Sequence, residues 1–467
     1  MFSIAESFES NAHSGAQDNA VPTIRVVALR GYFWHIPAAQ SKPIAENNID
    51  AFIQALTKPI TAEEAKPPQQ QRVALPPVKI SAKTYSAAIE EYQSLFSENK
   101  WSDGLAIIPP TREAVDLMLS GTNRSPGEII GRVPAKNGIA TIEKIAINAV
   151  MAGASPKYLP VIIAAMEGFT DKEYDLLHPQ ASLGGFELAI WVSGPIAAEL
   201  KMNCLDRLWT YGNRANDSIG RAIVLCRINL GQMWPGVNDM ARTRAVPFTN
   251  YIFAENSSAP NPWQPSHVIS GFKSGDSCVS VSTVNAGISM YSGAKATDKL
   301  KSAINGILAK RNSVFARYNP AVADPASHPP KHIFMISPRA AKELYDLGYT
   351  DQKKLRDFIY DQTSVPYEQL AAEEIKGIQA RIETSIAEAG ILADRLPADV
   401  IPVYQNALRP GGKVPIFVKP EDDIHLVVVG TPDESSISGW TYMRAPYALK
   451  SHKTKLIRGA TLTEAGR

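Results

Sequence analysis

The sequence has few cysteines, no excess of charge of one sign and no long apolar run. Its three cysteines, Cys204, Cys226 and Cys278, are an odd number with wide spacing, which argues against a disulfide framework and fits a reducing compartment. A net charge of +2 gives no electrostatic reason to expect nucleic acid or an anionic membrane as partner. No apolar stretch is long enough for a membrane span, and the polar stretch 1–20 does not read as a signal peptide. We therefore predict a cytoplasmic protein.

The composition is that of a globular chain with a sizeable core. Of its 467 residues, 45% are hydrophobic and 20% are charged, and this length exceeds what one core usually supports. We predict an α/β fold with a helix-rich central domain and a C-terminal α/β domain. The predicted divisions are an N-terminal arm, strand and Pro-rich linker over 1–95, the central domain with the polar site over 96–310, and the C-terminal domain over 311–467.

Several secondary-structure elements are predicted from apolar patterns and capping residues. The predicted strands are 105–108, 332–337 and 424–429; helices are predicted to begin after Thr111, Thr141 and Thr350, and a charged amphipathic helix to cover 371–392. Five prolines and a glutamine run between residues 58 and 77 predict an extended linker.

The segment 212–221 concentrates amides, arginines and glycines at a predicted helix start. If Asn216 or Asp217 caps that helix, free backbone N–H groups in the preceding turn favour a carboxylate or phosphate. The predicted substrate-binding residues here are Asn213, Arg214, Asn216 and Arg221. The alternative is a well-capped helix whose arginines pair with nearby acids. No nucleotide-binding motif is present, so a nucleotide is not predicted.

A second polar segment follows in a proline-rich loop, a type of element that often carries function. His267 is the candidate general acid or base because its unperturbed pKa lies closest to neutrality. Glu255 is the candidate second proton carrier. Asn256 is a candidate for orienting or polarising the substrate, and Trp263 for excluding water. The alternative is a structural loop with the tryptophan packed down and the histidine at the surface.

A third candidate lies in the apolar helix after Thr141. Lys144 and Asn148 are four residues apart and share one helix face. A buried lysine can act as a base or form a Schiff base, so Lys144 is a catalytic candidate and Asn148 a binding candidate. The alternative is a lysine that extends its ammonium group to water.

Long segments of the chain resemble a bacterial family of the UGSC type, whose members carry a Sec/Cys-Gly-Ser-Cys redox motif. The resemblance spans about residues 100–429 and rests on 103–105, 108–111, 140–153, 216–222, 254–256 and 262–267. This chain lacks the Cys-Gly-Ser-Cys motif, and Ala154 stands where relatives would have a cysteine. The resemblance therefore implies no thiol or selenol redox chemistry here.

We predict an enzyme that acts on a small polar, carboxylate-bearing substrate by acid/base chemistry of lyase or hydrolase type. Two alternatives stay open: a metal- or external-cofactor-dependent oxidoreductase, and a non-catalytic binding or assembly protein built on the N-terminal arm. The sequence names no cofactor, and no local spacing of His, Cys or carboxylates predicts a metal. A homo-oligomer is predicted, with no nucleic acid or membrane partner.

Overall fold

A computed structural model describes most of the chain. The described residues are 2–5, 24–29, 38–62, 77–181, 185–239, 249–258, 260–285, 289–309, 331–387, 398–442 and 452–461, with a few isolated residues between them. Most of the predicted Pro-rich linker and the predicted end of the charged helix beyond Ala387 lie outside these residues.

Helices and strands are interspersed along the described chain, and the predicted α/β class is confirmed. The helices are α1 (Ala38–Thr57), α2 (Tyr85–Glu98), α3 (Arg112–Leu119), α4 (Ile142–Met151), α5 (Leu159–Phe169), α6 (Leu177–Ala181), α7 (Pro195–Glu199), α8 (Arg214–Gly231), α9 (Ser266–Ile269), α10 (Ala296–Ala309), α11 (Pro338–Asp346), α12 (Gln352–Thr363), α13 (Ala372–Ala387), α14 (Ile401–Ala407) and α15 (Pro420–Asp423). Of the helices that the structure describes, none combines the length and the apolar character needed to cross a bilayer.

Eight of the described strands form one mixed sheet. The strands are β1 (Phe2–Ala5), β2 (Val26–Leu29), β3 (Ile129–Val133), β4 (Gly138–Thr141), β5 (Phe186–Ser193), β6 (Tyr251–Ala254), β7 (Cys278–Asn285), β8 (Ser289–Met290), β9 (Lys331–Ile336), β10 (Val365–Pro366), β11 (Lys413–Val414), β12 (Ile424–Val428), β13 (Ile437–Tyr442) and β14 (His452–Leu456). The sheet order is β12-β9-β13-β7-β5-β6, with β14 paired to β7 and β8 to β13. Strands before and after residue 310, the predicted boundary between the central and C-terminal domains, belong to this sheet. The domain divisions themselves stay a prediction.

Local signals in the sequence set several helix starts. The Thr111 and Thr141 hydroxyls accept N–H bonds from the first turns of α3 and α4, as predicted. Helix α12 is capped by Asp351 instead of Thr350, because the Asp351 carboxylate accepts the Lys354 N–H at 2.8 Å.

The predicted strand 105–108 does not form, since its backbone groups bind side chains and a helix end. Gln93 donates to the Ile107 carbonyl and accepts from the Ile107 N–H. The Arg221 guanidinium donates to the Ala106 carbonyl, and the Ile108 N–H donates to the Met151 carbonyl. These bonds satisfy the segment without a partner strand.

The two faces of the sheet carry different cores. On β5, Leu188, Ile190 and Val192 pack under α4, α5 and α8, while Ala189 and Trp191 point to the opposite face, as strand alternation requires. That opposite face gathers residues of β5, β6, β7, β9 and β12 into one buried cluster. We call it the inner face.

The sheet curls around the inner face until its two edges meet. Strands β6 and β12 are the opposite ends of the strand order. Nevertheless, the Asn256 N–H, just after β6, donates to the Val428 carbonyl of β12 at 2.7 Å. The Asn256 amide also donates to the Gly430 carbonyl at 2.8 Å. We call this junction the seam; it brings together residues that are far apart in sequence.

Candidate functional site

Glu255 lies at the seam, one residue beyond the end of β6. Its N–H donates to the Val192 carbonyl and extends the β5–β6 ladder. Its carboxylate accepts the Ser266 N–H at 2.9 and 3.0 Å and the Ser266 hydroxyl at 2.7 Å. The residue is only 5% exposed. A carboxyl group is thus held away from water at the carboxyl end of a strand, where α/β folds often place ligands.

Burial raises the pKa of Glu255 to about 7 because the charged form loses its hydration. The Ser266 hydroxyl, the Ser266 N–H and the backbone of Val428 act in the opposite direction, but more weakly. No charged group among the described residues contributes to this shift. A carboxyl group with a pKa near neutrality is suited to proton transfer at physiological pH.

The loop between β6 and α9 fixes the position of Ser266. The Asn256 side-chain oxygen accepts the Ser258 N–H at 3.0 Å, and the Asn261 side-chain oxygen accepts the Trp263 N–H at 3.0 Å. Pro265 then precedes the first residue of α9. The N–H of Ser266 has no partner within its helix, since first-turn N–H groups never do, and it is therefore available to the carboxylate of Glu255.

Two further polar side chains of this region have open hydrogen-bonding capacity. His267 follows Ser266 directly and is fully buried. Within the described part of the chain, neither of its ring nitrogens has a hydrogen-bond partner, and the same holds for the buried Ser193 hydroxyl. Ser193 ends β5, one step beyond the last registered pair of β5 and β6, Val192 with Ala254. Because side chains alternate along a strand, Ser193 lies on the same inner face as Trp191, beside Glu255.

We call Ser193, Glu255, Ser266 and His267 the seam cluster. It connects to an aromatic group on the inner face, because the Trp191 ring N–H donates to the Ser266 hydroxyl at 3.2 Å. Trp191 stacks with Phe253, its registered partner on β6, and with His452 of β14, at centroid distances of 6.0 and 5.2 Å. Packing around Trp191 therefore fixes the hydroxyl that binds the carboxylate.

The two predicted anion-binding arginines have intramolecular partners. Arg221 forms a bidentate ion pair with Asp103, at 2.8 and 2.9 Å, and also donates to the Ala106 carbonyl. Arg214 is exposed and donates to the Gly153 carbonyl at 3.2 Å. These contacts match the alternative in which the arginines support the helix and its surroundings.

The amides of the same segment serve the helix start. Helix α8 is capped by Asn213, three residues earlier than Asn216, because the Asn213 side-chain oxygen accepts the Asn216 N–H at 3.0 Å. Asn216 is buried in the first turn, where its amide bonds the backbone of Asn203 and the Ile252 carbonyl. The prediction that Asn216 or Asp217 caps this helix was wrong by one turn.

Lys144 and Asn148 lie on α4 as predicted, but in different environments. Lys144 is exposed, and its ammonium group donates to the Ile139 carbonyl at 3.2 Å. Asn148 is buried; its amide donates to the Lys144 carbonyl at 2.9 Å and accepts from Asn229 of α8 at 2.7 Å. These bonds connect α4 to β4 and to α8, so the pair supports the helical layer instead of the seam cluster.

Asn256 and Trp263 support the seam from the loop side. The Asn256 amide spans β12 and its own loop through Gly430 and Ser258. Trp263 packs in the core of α10 to α14 and donates its ring N–H to the Tyr349 carbonyl at 2.9 Å. Trp263 thus connects the loop that carries α9 to the second half of the chain.

Neither the cysteines nor the possible metal ligands of the described residues form a cluster of three. The structure shows no cluster of three or more His, Cys, Asp or Glu with metal-binding geometry among the residues it describes. Burial raises the pKa of Cys278 to about 12 and also raises the pKa of Cys204 and Cys226. All three are therefore thiols near neutral pH, and their contribution is packing.

Sequence reasoning missed Ser193, Ser266 and Trp191. A signal for Ser193 was present: a serine that ends an apolar strand, followed by Gly194 and Pro195. Gly194 has φ +95°, and a Cβ there would lie 2.2 Å from the Asp276 carbonyl. The tight turn after Ser193 therefore requires glycine. Ser266 had no local signal, because its role depends on the seam.

No protein-family model matches this sequence, and no curated protein is significantly similar to it. The resemblance to UGSC-type proteins therefore stays a prediction, as does the choice of reaction.

Proposed function

We propose that this protein is an enzyme that transfers protons on a small polar substrate, in a reaction of lyase or hydrolase type, with Glu255 as the general base. The observation that carries the proposal is the buried Glu255 carboxyl group, whose pKa lies near 7 and which the Ser266 hydroxyl and N–H hold in place. At neutral pH such a group gains and loses its proton with nearly equal ease.

The other members of the seam cluster have complementary roles in this proposal. Ser266 orients the carboxylate. The imidazole of His267 and the hydroxyl of Ser193, which have no partner among the described groups, bind the substrate and exchange protons with it. Trp191 holds Ser266 and keeps water from the carboxylate. The anion-binding site predicted at Arg214 and Arg221 is not part of the proposal, since both guanidinium groups donate to acceptors within the protein.

Glu255→Gln tests this proposal because it keeps the size of the side chain and removes its ability to take up a proton. The purified protein is incubated in D₂O with a pool of small polar metabolites, and mass spectrometry follows consumption and deuterium incorporation. We expect wild type to convert or deuterate at least one compound, and the variant to do so at least about 100-fold more slowly.

Glu90→Gln is the matched control, since Glu90 is exposed on α2. It should retain the wild-type rate. Turnover at the wild-type rate in Glu255→Gln would rule out Glu255 as the base, and a pool that wild type leaves unchanged would count against an enzyme of this class.

A second candidate function, assembly into a homo-oligomer through the N-terminal arm, is favoured by helix α1. Ile49, Ile53 and Leu56 follow one another at spacings of four and three residues and are 50–67% exposed, so they share one face. The double substitution Ile49→Ser and Ile53→Ser is expected to reduce the particle mass measured by light scattering. Ile129→Ser, at an exposed position of β3, is the control, and an unchanged mass in the double variant would contradict assembly through this face.

A further inference from the structure

A row of four aromatic rings crosses the inner face from one end of the strand order to the other. Phe253 of β6 stacks with Trp191 of β5 at 6.0 Å, and Trp191 stacks with His452 of β14 at 5.2 Å. His452 then contacts His425 of β12, with 4.0 Å between the two ring centroids. We call His425 and His452 the histidine pair. Because β6 and β12 are the two ends of the strand order, the contact within this pair completes the row across the curled sheet.

The hydrogen bonds of His452 are compatible with either protonation state of its ring. Both members of the histidine pair are partly buried. The hydroxyl of Ser282, the registered partner of His452 on β7, lies 2.7 Å from Nδ1. The Thr454 hydroxyl lies 3.3 Å from Nε2. A hydroxyl can donate to a neutral ring nitrogen or accept from a protonated one, so the neighbouring charges decide whether a proton is tolerated.

The charged groups that act on His425 are cationic. The influences that lower its pKa well below the ordinary value of 6.5 are, from the largest, burial, His452, Arg356 of α12 and Lys331 of β9. The backbone of Asp422 acts in the opposite direction. The Asp423 carboxylate lies 3.6 Å from the ammonium group of Lys331. Protonation of the histidine pair therefore adds positive charge to a region that already contains it.

The other acidic and basic groups of the two neighbouring strands have partners away from the pair. Glu187 lies near the start of β5, where burial and the charge of Glu187 raise the pKa of Tyr251 to about 12. Lys453 and Lys455 alternate with the inward side chains of β14, and both pair with Asp171 on the opposite face of the sheet.

We propose that the histidine pair is an acid-sensitive switch: proton uptake separates the two imidazoles, and this frees Trp191 and the Ser266 hydroxyl that Trp191 holds. Two imidazolium rings with centroids 4.0 Å apart repel each other. The closed contact thus disfavours protonation, and the separated rings bind protons more tightly. By linkage, a falling pH shifts the population towards the open arrangement.

The effect reaches the seam cluster through Trp191. Its ring stacks on His452 and donates to the Ser266 hydroxyl at 3.2 Å, and that hydroxyl binds the Glu255 carboxylate at 2.7 Å. Opening of the pair therefore removes one of the groups that position the proposed base. Only this consequence rests on the proposed function; the separation of the rings does not.

The switch and Glu255 respond to pH with opposite signs. The pKa of His425 is lowered in the folded protein, so histidine protonation favours opening as the pH falls below about 6.5. The pKa of Glu255 is raised to about 7, so its burial costs stability as the pH rises. A loss of structure on acidification therefore does not originate from Glu255, and the two proposals can be tested separately.

Hydrogen exchange of the full-length protein, measured by mass spectrometry and corrected for intrinsic rates, reports the opening. We expect peptides that contain β12, β14 or Ser266 to exchange about tenfold faster at pH 5.5 than at pH 7.5. This is the factor for one group with a pKa of 6.5 that is protonated only in the open arrangement. Peptides of α5, in the layer on the other face of the sheet, should exchange equally at both pH values.

Three variants identify the groups responsible. His425→Phe keeps an aromatic ring and removes the titrating nitrogens, so its exchange should not depend on pH. His452→Phe should reduce the pH dependence, since one of the two interacting charges is gone. Glu255→Gln should retain the tenfold increase. Circular dichroism checks the fold of each variant, and His425→Gln replaces His425→Phe if the larger side chain prevents folding.

Other results overturn the inference. Equal exchange of wild type at both pH values, or the same tenfold increase in the His425 variants, would exclude the histidine pair as a switch. An equal increase in α5 would indicate general acid destabilisation instead. Turnover that depends on Glu255 without faster exchange at pH 5.5 would exclude the switch and retain the base. Faster exchange at β12 and β14 in a protein without turnover would retain the switch alone.

Discussion

Relative to wild type, Glu255→Gln is expected to gain about 3 kcal/mol in free energy of unfolding between pH 4.5 and pH 8. In the folded protein the pKa of Glu255 is about 7, against an ordinary value of 4.5. Over that interval the folded state keeps a proton that the unfolded state releases, so wild type loses stability as the pH rises towards 7. Glutamine does not titrate, so the variant avoids this loss.

Urea denaturation of both proteins at several pH values from 4.5 to 8 measures the effect. The stability difference between variant and wild type includes a constant part, because the glutamine amide cannot accept all the Ser266 bonds. The prediction therefore concerns the change of that difference with pH. Glu90→Gln should show a difference that does not vary. A constant difference for Glu255→Gln as well would place the Glu255 pKa near its ordinary value.

Gly220→Ala is expected to destabilise the fold by about 3 kcal/mol, the upper part of the range for overpacking. Gly220 lies inside α8, where the chain before β6 comes close. A Cβ there would lie 1.8 Å from the Thr249 carbonyl oxygen and 3.1 Å from the Ile252 side chain. Backbone atoms cannot rotate away, so α8 or the entry to β6 must shift. This shift would also break the bond from the Asn250 amide to the Gly220 carbonyl.

Gly306→Ala is a matched control, since Gly306 also lies inside a helix, α10, and a Cβ there would meet nothing within 4 Å. Alanine has the higher helix propensity, so this variant should gain about 0.5–1 kcal/mol. Urea midpoints of the two variants should therefore move in opposite directions from wild type. A Gly220→Ala protein as stable as wild type would show that α8 and the entry to β6 can separate at little cost.

Features that depend on neighbouring residues could be predicted from the sequence. The hydroxyls of Thr111 and Thr141 cap helices because the N–H groups they bind are three residues away. The buried strand 424–429 forms within one residue of its predicted end, since a run of β-branched and apolar residues has few other stable arrangements. Glu255 and His267 were predicted as site residues from their chemistry, and both belong to the seam cluster.

Features that depend on distant contacts could not be predicted. Arg221 was predicted to bind an anion. Its actual partner, Asp103, is 118 positions away in the sequence, so no local pattern indicates the ion pair. The strand expected at 105–108 is absent because Gln93 and Arg221 supply the hydrogen bonds that a strand would have supplied. The seam itself arises only when the sheet curls, so nothing local pointed to Ser193 or to the burial of Glu255.

The pH dependence of kcat/KM tests the central claim most directly, because it reports the titration of the free enzyme's essential base. It is measured for the compound that wild type converts fastest, from pH 5.5 to pH 8.5. If Glu255 is the base, kcat/KM rises about tenfold per pH unit at the acidic end and levels off above a midpoint near pH 7. Glu255→Gln should lose this rise together with the activity. A flat profile in wild type, or the same rise in Glu255→Gln, would contradict the assignment of Glu255 as the catalytic base.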